Sequence, residues 1–359
     1  METSSPQHLS ILERIGKALG LGNIYPGSGL IFITGGTGVI GHRVAQRLLD
    51  VGYSHVRLGT KHPEGLGDLM KPGAETVDFA WGHEESYEKA LKGVKSVLCT
   101  VPYIDGWKDH FPAFFNACKN AGVKHFVKLS FYHARDMAGP MQEIPLARDH
   151  GICDNYVVEE LTPRYATSVM TGDMDVGNDF IHPEMAFTIL YASHYMSNPF
   201  IFQRKHLESA HPGFLYGASE NHGVNYVSPN DVAEVAVRVL LERKSHSNKE
   251  YLLTGPESII GQQVAYLLSE HLQKPIAYID QPLEKYAQEM EHIGEASWVV
   301  RDLAAMEKIK ASGIEEAKDF LSGDIEIILG RKPESFKEYL ERTDTMTPVE
   351  AGAPLGIAE

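Results

Sequence analysis

The sequence predicts an α/β fold: a doubly wound parallel sheet followed by a smaller C-terminal part. Three observations carry the prediction. An apolar strand pattern at Leu30–Ile33 runs without a spacer into a glycine-rich turn and then a helical pattern. Apolar runs of strand length then alternate with helix-length segments as far as Leu190, the rhythm of a parallel sheet with helices on both faces. Beyond that point the strands become short and helical stretches dominate.

The first strand is Leu30-Ile31-Phe32-Ile33, a continuous apolar run of the kind found in strands covered on both faces. Thr34-Gly35-Gly36-Thr37-Gly38-Val39-Ile40-Gly41 follows, and His42–Asp50 then places Val44 and Leu48 at helical spacing. The spacing Gly35-x-x-Gly38-x-x-Gly41, between a strand and a helix, is a variant of the dinucleotide fingerprint. Gly35 is expected to permit the tight turn, Gly38 to let a pyrophosphate approach the backbone, and Gly41 to let helix pack on strand. The phosphates would sit on the free N–H groups and positive end of the helix. Gly35, Thr37, Gly38, Val39, Ile40 and Gly41 are therefore candidate cofactor-binding residues.

His55–Thr60 reads as the second strand, and its end should face the adenine ribose. An acid there would favour NAD(H); Thr60-Lys61-His62 offers none before Glu64. A lysine would pair with the 2′-phosphate, so NADP(H) is expected over NAD(H), with Thr60 and Lys61 as contacts. Glu75–Phe79 fits a third strand and Glu84–Leu91 a helix with acids at its positive end. Ser96–Val101 is the fourth strand, ended by Pro102; a helix over Phe111–Ala121 leads through Gly122 into a fifth, His125–Leu129. Cofactors bind beyond the carboxyl ends of such strands, which nominates Val101, Pro102 and Ser130 for the cofactor and Tyr103 and Tyr132 for the substrate. In the later chain, Val224–Val227 and Tyr251–Leu253 read as strands and Val232–Leu241 as a helix capped by Asp231. Gly261–Gln273 follows as a helix, Ile276–Ile279 as a strand, and helical material continues toward Phe320.

The net charge of −15, with no basic cluster, argues against a nucleic-acid or anionic-membrane surface. The three cysteines are too few and scattered for a disulfide framework or zinc knuckle, and Cys99 reads as a small buried hydrophobe. No run is long and apolar enough for a membrane span, no metal-ligand pattern is present, and the N-terminus lacks the apolar core of a secretory signal. A cytoplasmic location is expected. Leu9–Leu21 reads as an amphipathic helix, and an organelle-targeting role for this extension stays open.

Several segments together resemble the NmrA-like branch of the atypical short-chain dehydrogenase/reductases. They are the Thr34–Gly41 turn, Ala90–Val97, Ala121–Ser130, Phe187–Leu190 with Asn198 beyond it, Asn230–Ala233, Tyr251–Pro256 and Gly330–Phe336. The resemblance covers about residues 29–341 and implies a Rossmann-like domain that carries NADP(H). The Rossmann core would span 29–200 plus 224–254, under a cover from 200–223 and 255–341. Residues 1–28 would be an extension and 342–359 a loose tail. The resemblance also admits two kinds of protein, reductases of quinones and other small conjugated molecules, and cofactor-sensing regulators without turnover. Three departures stand out. Phe79-Ala80-Trp81 stands where the family often has Gly-Asp-Leu, and Tyr191–His194 where an arginine is common. The stretch Gly139–Gly177 is long enough to hold an inserted lid or an interaction segment.

Ordinary short-chain dehydrogenases deliver the proton from a Tyr-x-x-x-Lys pair, and no such pair occurs here; Tyr132 is followed by Asp136 and Tyr156 by Glu160. An acid in that place would raise the phenol's pKa. Hydride transfer itself needs orientation more than a dedicated acid. The candidate catalytic residues are Tyr132, His133, His150 and His194. His150 and Asp154 share a helix face, where the carboxylate would favour a charged imidazole, or they form a surface ion pair in a lid. Tyr195 and Asn198 join Tyr103 and Tyr132 as substrate-pocket candidates, with Met196, Phe200 and Phe202 as an apolar wall. Ser130 would bond the carboxamide or substrate, or cap the next helix. The expected function is an NADP(H)-dependent reductase of a small conjugated or aromatic, quinone-like molecule. The alternative is a non-catalytic NADP(H)-binding redox sensor acting through protein partners, and a homodimer is compatible with either.

Overall fold

The computed structural model describes residues 29–162, 164–165, 180–181, 184–209 and 212–342. The expected N-terminal helix, the tail from residue 343 and most of the Gly139–Gly177 stretch after Thr162 lie outside the described residues.

Seven strands form one sheet: β1 (Leu30–Ile33), β2 (Val56–Gly59), β3 (Ala74–Val77), β4 (Val94–Cys99), β5 (His125–Phe131), β6 (Ala186–Ala192) and β7 (Lys249–Leu253). Their spatial order is β7-β6-β5-β4-β1-β2-β3, and every neighbouring pair is parallel. Five helices flank it: α1 (Val39–Asp50), α2 (Glu85–Leu91), α3 (Trp107–Asn120), α4 (Pro145–Leu161) and α5 (Pro229–Leu241). Strand alternation explains why β1 is apolar throughout. Phe32, Val97, Phe126 and Ile189 face one layer with Phe111, Phe114, Phe115 and Val157. Ile31, Ile33, Leu98, Val127 and Leu190 face the other, with Val44, Leu48, Val235 and Val239. Both layers are closed to water, so the strands between them are mostly apolar on both faces.

The chain runs outward from β1 to β2 and β3, then returns to the other side of β1 as β4. That reversal makes the β1–β4 boundary the switch point of the sheet, where such folds open a crevice at the carboxyl ends. Thr34 and Thr100 close its floor: the Thr34 hydroxyl donates to the Thr100 carbonyl at 2.8 Å and accepts the Thr100 N–H at 2.9 Å. This exchange also ends β4 at Cys99 rather than at Val101, since the Thr100 amide is turned away from the ladder.

The start of α5 also differs from expectation. Ser228 caps it, accepting the Asn230 N–H at 3.1 Å, with Pro229 at the first helical position. Asp231 lies inside the first turn, where it accepts from Arg331 at 2.6 Å and from the Glu334 amide at 2.7 Å. It thereby ties the closing segment to the Rossmann layer rather than capping the helix.

The rest of the chain builds the cover. Val224–Val227 joins a small sheet with His194–Tyr195 and Ser258–Ile259, outside the seven-stranded one. Gly213–Gly217, which sequence reasoning missed, pairs with Ile276–Asp280. Helices Gly261–Leu272, Leu283–His292, Ser297–Ala311, Asp324–Leu329 and Phe336–Glu341 complete it. Met196, Phe200, Leu215, Leu268, Phe336 and Tyr339 form a core of its own. Among the described residues no helix is long and apolar enough to cross a membrane.

Candidate dinucleotide site and the groups around it

The turn between β1 and α1 can be read atom by atom. A Cβ on Gly41 would stand 1.9 Å from the Gly35 carbonyl oxygen, so only glycine lets α1 pack this closely on the turn. A Cβ on Gly35 would meet the Thr100 hydroxyl at 2.2 Å. Gly38 is the N-cap, in extended conformation, and no side chain caps the helix there. The first turn of α1 contains no acid, so its amides and dipole face the crevice uncancelled. Thr37, Gly38 and Val39 are half-buried at this end, and Ile40 and Gly41 are buried behind them. The segment Pro63–Leu69 folds back beside the turn, with Leu66 against Gly36 and Gly65 near the Thr37 methyl. This is a cradle of backbone donors, and it fits a diphosphate.

At the outer end of β2, Thr60 accepts the His62 N–H at 2.9 Å, and the exposed Lys61 ammonium lies 3.3 Å from His83 Nε2. Lys61 thus contacts an imidazole nitrogen, while Glu64 and Glu85 are engaged by His62 and His83 at 3.1 Å each. Phe79, where the resemblance placed no aromatic, is buried in a ring cluster with Phe32, Trp81, Tyr87 and Phe114. The region past the ends of β2 and β3 is consequently built on aromatic packing.

Beyond the other strand ends, the structure brings together two of the four candidate catalytic residues. The buried Tyr132 hydroxyl donates to Glu315 Oε1 at 2.6 Å and lies 3.0 Å from His194 Nε2, which is itself 3.2 Å from the same carboxylate oxygen. The tautomer with a proton on Nε2 satisfies all three atoms. Burial alone would push the Glu315 carboxyl up, but His194, Tyr132 and the Asn225 amide outweigh it and hold it below the ordinary range. Burial, reinforced by Glu315, pushes the Tyr132 phenol well up. All three side chains are closed to solvent, and the cluster fastens the cover to the ends of β5 and β6. Glu315→Ala would strand Tyr132 and the Asn225 amide, with an expected loss of about 3 kcal/mol by chemical denaturation. Because the Glu315 pKa is depressed, its contribution is present above the unfolded-state value and lost as pH falls through the folded one. The wild-type protein should therefore lose stability below about pH 4.5, and the variant should lose less over the same window.

His150 departs from both expectations. It is buried, its Nδ1 lies 3.0 Å from Lys128 Nζ, and the ammonium donates to Asp154 at 2.6 Å. Lys128 and Asp154 are fully buried, so the pair is not on the surface of a lid. Lys128 takes the carboxylate that would have charged the imidazole; burial first, and that ammonium second, hold His150 well below its ordinary pKa. Ser130 donates to the other oxygen of Asp154 at 2.5 Å. It does not cap α4, which begins at Pro145 after an Ile144 N-cap.

His133 sits at a positive φ of 53° with its ring 4.3 Å from Phe320, and its Nε2 has no hydrogen-bond partner. Burial lowers its pKa, against Asp319 and Asp136. Val101, Pro102 and Tyr103 are half-buried just past β4. The Tyr103 hydroxyl donates to Asp302 at 3.3 Å, and its ring meets Trp298 at 4.7 Å and Phe202 at 6.2 Å, both edge to face. Tyr195 is half-buried against the core under α5, and Asn198 opens the short helix Asn198–Phe202. Met196 and Phe200 pack within the cover core, and only Phe202 of that expected wall reaches Tyr103.

Comparison with known proteins gives the turn its meaning. Residues 35–162 match the family described as NAD(P)H-binding. Over that stretch the chain is similar to this family, and its parallel seven-stranded sheet has the Rossmann-like order. An uncharacterized oxidoreductase of Bacillus subtilis, YesF, is 25% identical over 86% of this chain and 93% of its own. The NAD(P)H azoreductase of Xenophilus azovorans is 26% identical over 86% of this chain and 96% of its own. Among solved structures, an NADPH-dependent quinone oxidoreductase of Escherichia coli in complex with NADPH superposes with a TM-score of 0.69 at 22% identity, over 88% of this chain and all (100%) of that one. NmrA, a negative transcriptional regulator solved with NAD, gives 0.63 at 13% identity over 90% and 96% of the two chains. At these identities the solved structures establish the fold.

The β1–α1 connection supplies the turn, but the groups nearest the strand ends include several that the sequence did not reveal. Glu315, Trp298 and Asp302 come from the cover, and Lys128 from the middle of β5. Only Lys128 carried a local signal: a charged residue between Val127 and Leu129 in a mostly apolar strand.

Proposed function

We propose that this NAD(P)H-dependent oxidoreductase transfers hydride from NADPH to a small conjugated or aromatic, quinone-like acceptor without a Tyr-x-x-x-Lys pair. The observation that carries the reading is the uncapped, acid-free end of α1 at the switch point, where Gly35, Gly38 and Gly41 expose the backbone. Half-buried aromatic rings at the ends of β4 and in the cover support a flat acceptor. The nicotinamide supplies the hydride when bound; Gly38, Val39 and Ile40 would hold the diphosphate, and Lys61 the 2′-phosphate. Relatives include an azoreductase and a quinone oxidoreductase, so conjugated acceptors are the class to try first.

The test is consumption of NADPH, followed by nicotinamide absorbance, with a panel of quinones, azo compounds, enals and dyes. Turnover of at least one supports the reading. Tight NADPH binding with no consumption would replace it by the redox-sensor alternative. The cofactor choice has its own check. Lys61→Ala is expected to weaken NADPH about fivefold to tenfold and to leave NADH within twofold, as for a partly solvated charge pair. Equal effects on the two nucleotides would remove Lys61 from the phosphate site.

A further inference from the structure

Two His-x-Glu units stand on either side of Lys61. His62-Pro63-Glu64 follows β2 and His83-Glu84-Glu85 follows β3, and in each the imidazole Nδ1 lies 3.1 Å from the carboxylate. β2 and β3 are parallel neighbours in register through Gly59 and Val77, and the Thr60 amide continues the ladder to the Val77 carbonyl at 3.1 Å. The two strand ends therefore lie side by side, and Lys61 Nζ comes to 3.3 Å from His83 Nε2. They also border the glycine turn, because the segment that follows His62 sets Leu66 against Gly36 and Gly65 beside the Thr37 methyl.

The backbone around His83 is fixed while its ring is open. The Ser86 amide and hydroxyl both donate to the His83 carbonyl, at 2.9 and 2.7 Å. Gly82 takes a φ of 80° and lies on the His110 ring of α3, where a Cβ would stand 3.1 Å from Nε2. The His83 side chain is 52% exposed, which leaves it within reach of a ligand. An ammonium only donates and a carboxylate only accepts. The one proton that serves both contacts of His83 is therefore on Nδ1, and Nε2 turns a lone pair toward Lys61.

We propose that His83 is the second arm of the 2′-phosphate site and takes a proton on Nε2 when the phosphate binds. Glu85, the imidazolium, the phosphate and Lys61 then form one chain of charge-assisted hydrogen bonds. The inference rests on the NADPH reading and adds a regulation to that site: preference for the phosphorylated nucleotide strengthens as pH falls. The proton comes from solvent, an N–H bond is the only bond formed, and nothing is oxidised or reduced.

The charges around the ring favour this exchange. Two cations 3.3 Å apart repel each other, whereas a dianion set between them turns the repulsion into two attractions. A bond from its own backbone amide, and then one from His83, hold the Glu85 carboxyl below the ordinary range, so it remains an anion on the far side of the ring. The titratable groups facing His83 are Lys61 after β2 and Glu85 at the head of α2. His110 of α3 lies against the adjoining Gly82, and the His62–Glu64 pair is next to Lys61 in sequence. Imidazole is the side chain whose charge ordinarily changes between about pH 5 and 8.

The experiment is a calorimetric titration of NADP+ and of NAD+, in two phosphate-free buffers of different ionisation enthalpy. It runs between about pH 6.5 and 8.5, where a phosphate monoester with its second pKa near 6 stays mostly dianionic. From the upper to the lower limit the NADP+-to-NAD+ affinity ratio should rise about fivefold. NADP+ should take up a fraction of a proton that NAD+ does not. His83→Gln keeps a hydrogen-bonding amide that does not titrate; it should abolish both the rise and the uptake, with NAD+ binding as the check on folding. Glu85→Gln should reduce both, and His62→Gln should leave both in place. A ratio that favours NADP+ equally at every pH, or a rise that survives His83→Gln, overturns the inference and leaves the NADPH reading standing. Loss of the rise in His62→Gln alone moves the proton to the other unit and overturns the role of His83. A ratio near one at every pH overturns the inference together with the phosphate contact of Lys61, and failure to bind either nucleotide removes the reductase reading as well.

Discussion

Gly41→Ala is expected to reduce NADPH affinity by about a hundredfold or more and to destabilise the fold by roughly 2–3 kcal/mol. The added Cβ would lie 1.9 Å from the Gly35 carbonyl oxygen and 2.7 Å from its carbon, and both are backbone atoms that no rotamer change can move. The helix must therefore back away from the turn, which spoils the array of amides facing the diphosphate and opens the packing of α1 on β1. Gly38→Ala separates the two effects. Its φ of −83° and ψ of 167° suit any residue, and the only neighbour its Cβ meets within 4 Å is Gly35 O at 3.4 Å. Thermal stability should stay near wild type, while NADPH weakens because the methyl enters the open space before the helix end. Fluorescence titration of NADPH together with thermal melts of both variants checks the pair. Unchanged NADPH affinity in Gly38→Ala and Gly41→Ala alike would remove the turn from the cofactor site.

The turn was legible because its whole meaning is local: strand, glycines and helix are adjacent in sequence and hydrogen-bond to each other. The sheet was legible for a related reason. Its strands are covered on both faces, so each announces itself as an apolar run, and errors such as the end of β4 came from a single hydroxyl, Thr34, redirecting one amide. The polar clusters were not legible. Tyr132 and His194 were singled out by their position after β5 and β6, but the carboxylate that joins them is 183 residues from Tyr132. Asp302 looks like one more acid on a helix until Tyr103, 199 residues away, is seen to donate to it. His150 and Asp154 were read correctly as sharing a helix face, yet their chemistry was misjudged, because the third member comes from β5 and projects from a strand rather than from that helix. Spacing along one helix says which residues share a face; it does not say what the opposing element places there.

That third member sets the last and largest stability prediction. Lys128→Met should destabilise the protein by about 3–5 kcal/mol, because it leaves the fully buried Asp154 without its counter-ion and with only the Ser130 hydroxyl as a hydrogen-bond donor. The ammonium also stands 5.7 Å from the Phe111 ring centroid and meets the His150 ring nitrogen, so one substitution strands a carboxylate and an imidazole acceptor together. Burial already pushes the Asp154 carboxyl up against the opposing pull of Lys128 and Ser130. Without the lysine it should rise further, and the variant should regain stability as pH falls and the carboxyl takes a proton. The double variant Lys128→Met with Asp154→Leu removes both charges and should recover most of the loss, since a well-packed apolar pair is often as stable as a buried ion pair. Denaturant melts of the wild type, both single variants and the double one form a cycle whose coupling energy should exceed about 2 kcal/mol. A coupling near zero would mean that Lys128 and Asp154 are each satisfied independently, and that the interior under α4 is held by its rings rather than by this pair.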